Sequence, residues 1–219
     1  MSEKKISSKF IYFFGAFGGI LFGYDIGVMT GALPFLQSDW NLSGGGVTGW
    51  ITSSLMLGAV FGGAIAGQLS DRLGRRKMVL YSAALFMVGA LLAGVSPHNG
   101  VAYLLFTRVL LGVAVGAASA LVPAYLSEMS PAEKRGSLSG INQLMIVSGM
   151  LISYVVDFLL KGLPEHIAWR LMLAMAAVPA LVLFLGVLRL PESPRFLIKA
   201  GRKDEARKVL SWIRKPEEI

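Results

Sequence analysis

Residues 15–31 read GAFGGILFGYDIGVMTG and lie inside an apolar run from Phe10 to Leu33 whose only formal charge is Asp25. Glycine stands at 15, 19, 23, 27 and 31. On a helix that spacing makes one slowly drifting ridge, where another backbone can approach closely. Asp25 lies two residues from both Gly23 and Gly27, about 200° round the helix and away from the ridge. Phe22 and Met29 share its face. An ionisable group at bilayer depth costs roughly 2.5–3.5 kcal/mol on insertion scales, so it needs compensation. The stretch predicts a helix with one side built for packing and another that presents a carboxylate to a cavity or a partner.

The rest of the chain has the composition to match. Hydrophobic residues make up 54% of the 219 positions, and the mean hydropathy is +0.63. Those values leave the range of a soluble domain and describe an integral membrane protein. The absence of cysteine excludes disulfides and cysteine-based metal or redox sites. With only His98 and His166 available, no metal site is expected. The net charge of +8 would fit nucleic-acid binding only as a basic face on a soluble module.

Apolar runs of about 20 residues can cross the roughly 30 Å of bilayer hydrocarbon. Six are predicted, over 10–33, 47–69, 78–95, 101–126, 138–160 and 168–190, with a polar connection over 34–46. Lysine and arginine cluster in the lead (Lys4, Lys5, Lys9), in the 71–77 loop, at Lys134 and Arg135, and in the tail from Arg189. The alternate loops hold almost none. By the positive-inside rule the chain ends are cytoplasmic and the number of spans is even. The basic balance is thus a topology signal, and no nucleic-acid partner is expected. The organisation predicted is a lead (1–9), a six-helix transmembrane unit (10–190) and a cytoplasmic segment (191–219). In that segment Ser193 would cap a short helix with Pro194 in its first turn, and a second helix would run from Asp204 to Ile213.

The candidates for burial among the ionisable side chains of the spans are Asp25, Arg108 and Asp157. Asp25 is about 22 Å from the inner end of its span and Arg108 about 10 Å from the outer end of the fourth, matching depths that allow them to pair. Gly112, one turn from Arg108, leaves room for a neighbouring side chain. Two readings stay open: a static salt bridge that neutralises two costly groups, or a carboxylate that takes up and releases a proton beside the arginine. On the fifth span Gln143, Met150, Tyr154 and Asp157 fall on one seam. The amide of Gln143 suits a sugar hydroxyl, Asp157 reads as a wet group near the outer end, and Asn142 reads as a helix-to-helix contact. GQLSDRLGRRK (67–77) makes a tight turn at Gly74 and offers a charge cluster around Asp71, with further pairs available from Glu128 and Arg135 and from Glu192 and Arg195. Exposed pairs of this kind stabilise by about 0–1 kcal/mol, which suits switching better than holding a fold.

GGILFGYDIGVMTGAL, GQLSDRLGRRK, TRVLLGVAVG, VPAYLSEMSPAEKRGSL, NQLMIVSGMLISY, AWRLML and PESPRFL, in this order, resemble the sugar porter family of the major facilitator superfamily. The likeness is to the amino-terminal half of bacterial galactose, glucose and xylose proton symporters. It implies an all-α membrane protein in which six transmembrane helices, two inverted three-helix units, form one half of a twelve-helix fold, with sugar bound between halves at mid-membrane. It implies that Asp25 is the proton-coupling carboxylate with Arg108 as partner, and that Phe22 and Gln143 contact sugar. It assigns Asp71, Arg72, Arg75, Arg76, Glu128, Arg135, Glu192 and Arg195 to a cytoplasmic gating network. Tyr24-Asp25 leans toward symport, because facilitators of the family lack the acid.

The expectation is therefore secondary transport of a monosaccharide across the cell membrane by alternating access, with no enzymatic chemistry and no cofactor, the proton being the coupling ion. The partners expected are a small-molecule sugar, the lipid bilayer and a complementary carboxy-terminal half. A uniporter, a non-transporting sugar sensor and an inactive fragment are the alternatives. Met150 stands where some members carry another glutamine, which leaves the choice of sugar open.

Overall fold

The structure, a computed structural model, describes residues 7–213, less the side chains of Ala132 and Arg135. The expected role of Arg135 therefore lies outside the described residues, as do Lys4 and Lys5 of the lead. Among the described residues six helices are long and apolar enough to cross a membrane: α1 (Ser8–Asp39), α2 (Gly45–Leu73), α3 (Arg75–Gly94), α4 (Val101–Met129), α5 (Arg135–Leu160) and α6 (Glu165–Leu188). Two short helices follow, α7 (Pro194–Lys199) and α8 (Lys203–Ile213). The α8 helix buries Ala206, Val209 and Ile213 on one side.

Two boundaries differ from the expected ones for backbone reasons. The connection predicted over 34–46 is mostly helix, since α1 continues through Pro34 to Asp39. A proline removes one backbone donor, but in an apolar setting the remaining groups still gain most from bonding within the helix. The sixth span is two helices, Glu165–Met175 and Ala177–Leu188, meeting at Ala176. Pro179 lies four residues beyond Met175 and cannot donate to its carbonyl, so the ladder is interrupted there.

The pairing of helices repeats. The closest neighbours are α2 with α4 and α1 with α5, followed by α3 with α4 and α6 and by α1 with α6. Exchanging α1–α3 for α4–α6 turns the α1–α5 contact into α4–α2 and the α3–α4 contact into α6–α1. That is the pattern of two equivalent three-helix units. The sequence carries a trace of it, because Gly23, Gly27 and Pro34 in α1 have the same spacing as Gly112, Gly116 and Pro123 in α4.

These glycines make the two equivalent contacts. A Cβ on Gly23 would fall on the Ile146 carbonyl of α5, and one on Gly27 would meet Ser153. A Cβ on Gly112 or Gly116 would fall on the carbonyl of Leu55 or Ala59 in α2, while Gly58 and Gly62 of α2 face Val109 and Val113 in return. Without hydrophobic drive between helices in lipid, such backbone approach is the main source of packing. Large side chains such as Val60, Phe61, Leu151, Phe158 and Leu185 stay exposed on the outside of the bundle.

Gly112→Leu is expected to separate α2 from α4 and to lower the free energy of unfolding by at least the about 1–3 kcal/mol typical of overpacking. Gly67→Leu, where a Cβ meets nothing within 4 Å, should be tolerated. Thermal unfolding of both variants in detergent checks the contrast.

Candidate functional site

The glycine face of α1 is taken up by α5, so the opposite face of the helix turns toward α4. There Asp25 meets Arg108 in a two-pronged contact: Nη1 donates to Oδ1 at 2.8 Å and Nη2 to Oδ2 at 3.1 Å. Both side chains are 2% exposed. Planar guanidinium and carboxylate match in this geometry, which is the strongest form of the pair. The Nε–H of Arg108 is buried without an acceptor among the described residues. The pair forms part of the wall of an open cleft of about 370 Å³, with Met29 and Thr30 from α1 and Thr52 and Met56 from α2 among the other lining residues.

The contact expected near Gly112 is corrected: the space there is filled by the Leu55 backbone rather than by a neighbouring side chain. Phe22 is half-buried against the apolar core, and Gln143 is exposed on α5 without a hydrogen bond to any described residue. Neither lines the cleft beside Asp25. Asn142 does reach another helix, its oxygen lying against Gly19, although that oxygen has no donor. Asp157, expected to be wet, is 7% exposed, because it is rotated from Tyr154 toward α1 and packs on Gly31.

At the end of the bundle that bears Gly74, charges tie four elements together. Arg75 bonds Asp71 at 2.7 Å, Glu128 at 3.4 Å and the Ser70 hydroxyl. The Ser193 hydroxyl donates to Glu128 at 2.5 Å, so Ser193 is a cross-link and not the side-chain cap expected for α7. Glu192 accepts from the Arg76 backbone N–H at 2.9 Å, satisfying a free donor at the start of α3. The Arg76 guanidinium donates to the carbonyls of Val187 and Leu188. The expected pairing of Glu192 with Arg195 is replaced by these bonds. Arg195 lines a cavity of about 300 Å³ with Asp71, Arg75 and Glu128, and Arg72 is exposed outside the network.

At the opposite end a second latch escaped the sequence reading. Asp39 accepts from Trp169 Nε1 at 3.0 Å and from Arg170 at 3.5 Å, and Arg170 Nε donates to the Ser96 carbonyl at 3.0 Å. Arg170 also lies 4.3 Å over the Trp169 ring. The signal was present in AWRLML beside a lone acid after the first span, but the pairing depends on α1 reaching Asp39.

The chain matches the family described as "Sugar (and other) transporter" over residues 11–219. It is 50% identical over 216 residues to a D-xylose transporter of Levilactobacillus brevis, covering 99% of this chain and 46% of that protein. It is 46% identical over 202 residues to the major myo-inositol transporter IolT of Bacillus subtilis strain 168, covering 90% of this chain and 42% of the other. The solved proton:xylose symporter XylE bound to 6-bromo-6-deoxy-D-glucose superimposes with a TM-score of 0.91 at 29% identity, over 96% of this chain and 50% of that one. The chain therefore spans about half the length of the curated relatives it matches.

Removing one partner of a buried ion pair costs about 3–5 kcal/mol, because the other charge is left alone. Arg108→Gln and Asp25→Asn are each expected to lose thermal stability, and the double variant, which leaves no charge alone, to lose less than the two losses summed; melting curves of the three check this.

Proposed function

The chain belongs to the sugar (and other) transporter family, whose relatives here are transporters and not enzymes, and from that premise we propose that it forms the amino-terminal half of a monosaccharide/proton symporter of the cell membrane. The observation that carries the reading is the buried, two-pronged Asp25–Arg108 pair opening on a cleft. Protonation of Asp25 removes one charge of that pair and frees Arg108. α1 and α4 then lose their strongest polar contact, and with sugar bound the inward transition becomes accessible.

Sugar would lie against the face completed by a second six-helix half. Gln143, with an uncommitted amide on α5, and Phe22 on α1 supply this half's contacts to it. The cluster of Asp71, Arg75, Glu128 and Ser193 steadies one state of the cycle and must open in the other. Its basic surroundings support a cytoplasmic position for that end and, by the positive-inside rule, for both ends of the chain. The proton is the coupling ion, and no other cofactor enters the scheme.

In a transporter made of this half and a second six-helix half, Asp25→Asn is expected to abolish uphill sugar accumulation in vesicles while leaving sugar exchange. Unimpaired accumulation would overturn the proton-coupling role, and sugar uptake without alkalinisation of the medium would make the protein a uniporter. Gln143→Ala should weaken sugar binding by roughly 2- to 10-fold, the loss of one net hydrogen bond of about 0.5–1.5 kcal/mol, as measured by calorimetry.

A further inference from the structure

Of the three buried charged side chains among the described residues, Asp25 and Arg108 neutralise each other. Asp157 has no such arrangement. It is 7% exposed, and both carboxyl oxygens are buried without a hydrogen-bond donor among the described residues. No described lysine, arginine or histidine forms a salt bridge with it. It is held against the backbone of α1, where a Cβ added at Gly31 would lie 2.7 Å from the Asp157 Cβ and would collide with the carboxyl oxygen.

The surrounding helices offer no cation either. On α1, Asp25 is committed to Arg108, and the Tyr24 hydroxyl, within electrostatic reach of Asp157, is itself buried without a partner. Lys9 and Tyr12 belong to the far end of that helix. On α6, Arg170 is held by Asp39 and the carbonyls of Ser96 and His166. Glu165 accepts from Ser38, and His166 is exposed. On α4, Arg108 is committed to Asp25, and Glu128 is bound at the Gly74 end. On α5 itself Tyr154 is exposed, and Lys161, one turn on, points its ammonium 3.7 Å over the Phe158 ring.

A buried carboxylate with neither cation nor donors is among the costliest groups a protein can hold, and it neutralises itself instead. We propose that Asp157 is a second proton-binding site of this chain, carrying its proton at the seam between α1 and α5. The site is separate from Asp25, which lies six residues, about 9 Å, before Gly31 along α1. Its neutral form is what lets the carboxyl pack on glycine. Loss of the proton places a charge between two backbones in contact and loosens α1 from α5. The inference rests on the burial and isolation of Asp157 and not on the sugar reading.

Infrared spectroscopy of the unsubstituted chain in lipid at neutral pH tests this. The C=O stretch of a protonated carboxyl is expected, lost in Asp157→Asn and kept in Asp25→Asn. Absence of the band, or its persistence in Asp157→Asn, would overturn the proposal and leave an ionised, hydrated Asp157. Should Asp157→Asn not fold, the Asp25→Asn chain labelled with carboxyl-¹³C aspartate serves in its place. Its other aspartates are ion-paired (Asp39, Asp71) or exposed (Asp204), so a protonated-carboxyl band shifted by the label supports Asp157, and an unshifted or missing band refutes it. Thermal stability gives an independent reading. A native state that keeps a proton the unfolded chain releases loses stability as pH rises, so from about pH 4, where an unfolded aspartate ionises, up to the pH at which Asp157 itself ionises, the unsubstituted chain should weaken relative to Asp157→Asn. Equal weakening of the two counts against the site.

Discussion

The contact of helix backbones across glycine organises this molecule. In lipid, apolar side chains gain little by turning from acyl chains to one another, so helices associate where their main chains can touch. Gly19, Gly23, Gly27 and Gly31 bring α1 onto α5, and Gly112 and Gly116 bring α4 onto α2. Each helix has then spent one face on packing, and what stands on the opposite face is directed toward another neighbour. Asp25 is turned to α4 for that reason, and it meets Arg108 one turn from Gly112, beside the α4–α2 contact. Packing leaves both side chains only 2% exposed, which raises the strength of the interaction and the consequence of losing it.

Around that framework the polar groups fall into two kinds. At each end of the bundle, charged side chains cross-link helices that the glycine contacts do not join: Arg75, Glu128 and Ser193 at one end, Asp39, Trp169 and Arg170 at the other. Their side chains are buried or no more than 20% exposed. Within the spans the stakes are higher. Arg108 answers Asp25, whereas Asp157 and the Tyr24 hydroxyl answer to no described donor or acceptor. The two carboxyls thus differ in what neutralises them, an arginine for Asp25 and, by our proposal, a proton for Asp157.

Much of this was legible beforehand, and the misses have definite causes. Six spans, the glycine ridge and the depth match of Asp25 with Arg108 follow from helical period and rise. The end of α1 was placed too early because Pro34 reads as a stop, yet in apolar surroundings helix is still the best use of the following backbone. Ser193 read as a cap because capping is local, but its hydroxyl was claimed by Glu128, 65 positions away in the chain. The internal repeat of Gly23, Gly27 and Pro34 at Gly112, Gly116 and Pro123 was present in the letters, and only the helix pairing gave it meaning.

What the sequence determined by itself is the material of the fold: spans long enough to cross a bilayer, the face of each that packs, the basic end, and an acid that needed an answer. Those are properties of single helices, set by composition and by period. Tertiary structure decided which helix stands beside which, and so the fate of every buried polar group. A rotation of about 60° along α5 separates Tyr154 from Asp157, and it leaves the first exposed and the second buried on Gly31. No single-helix pattern resolves that difference, because the environment of a side chain belongs to the neighbour it meets.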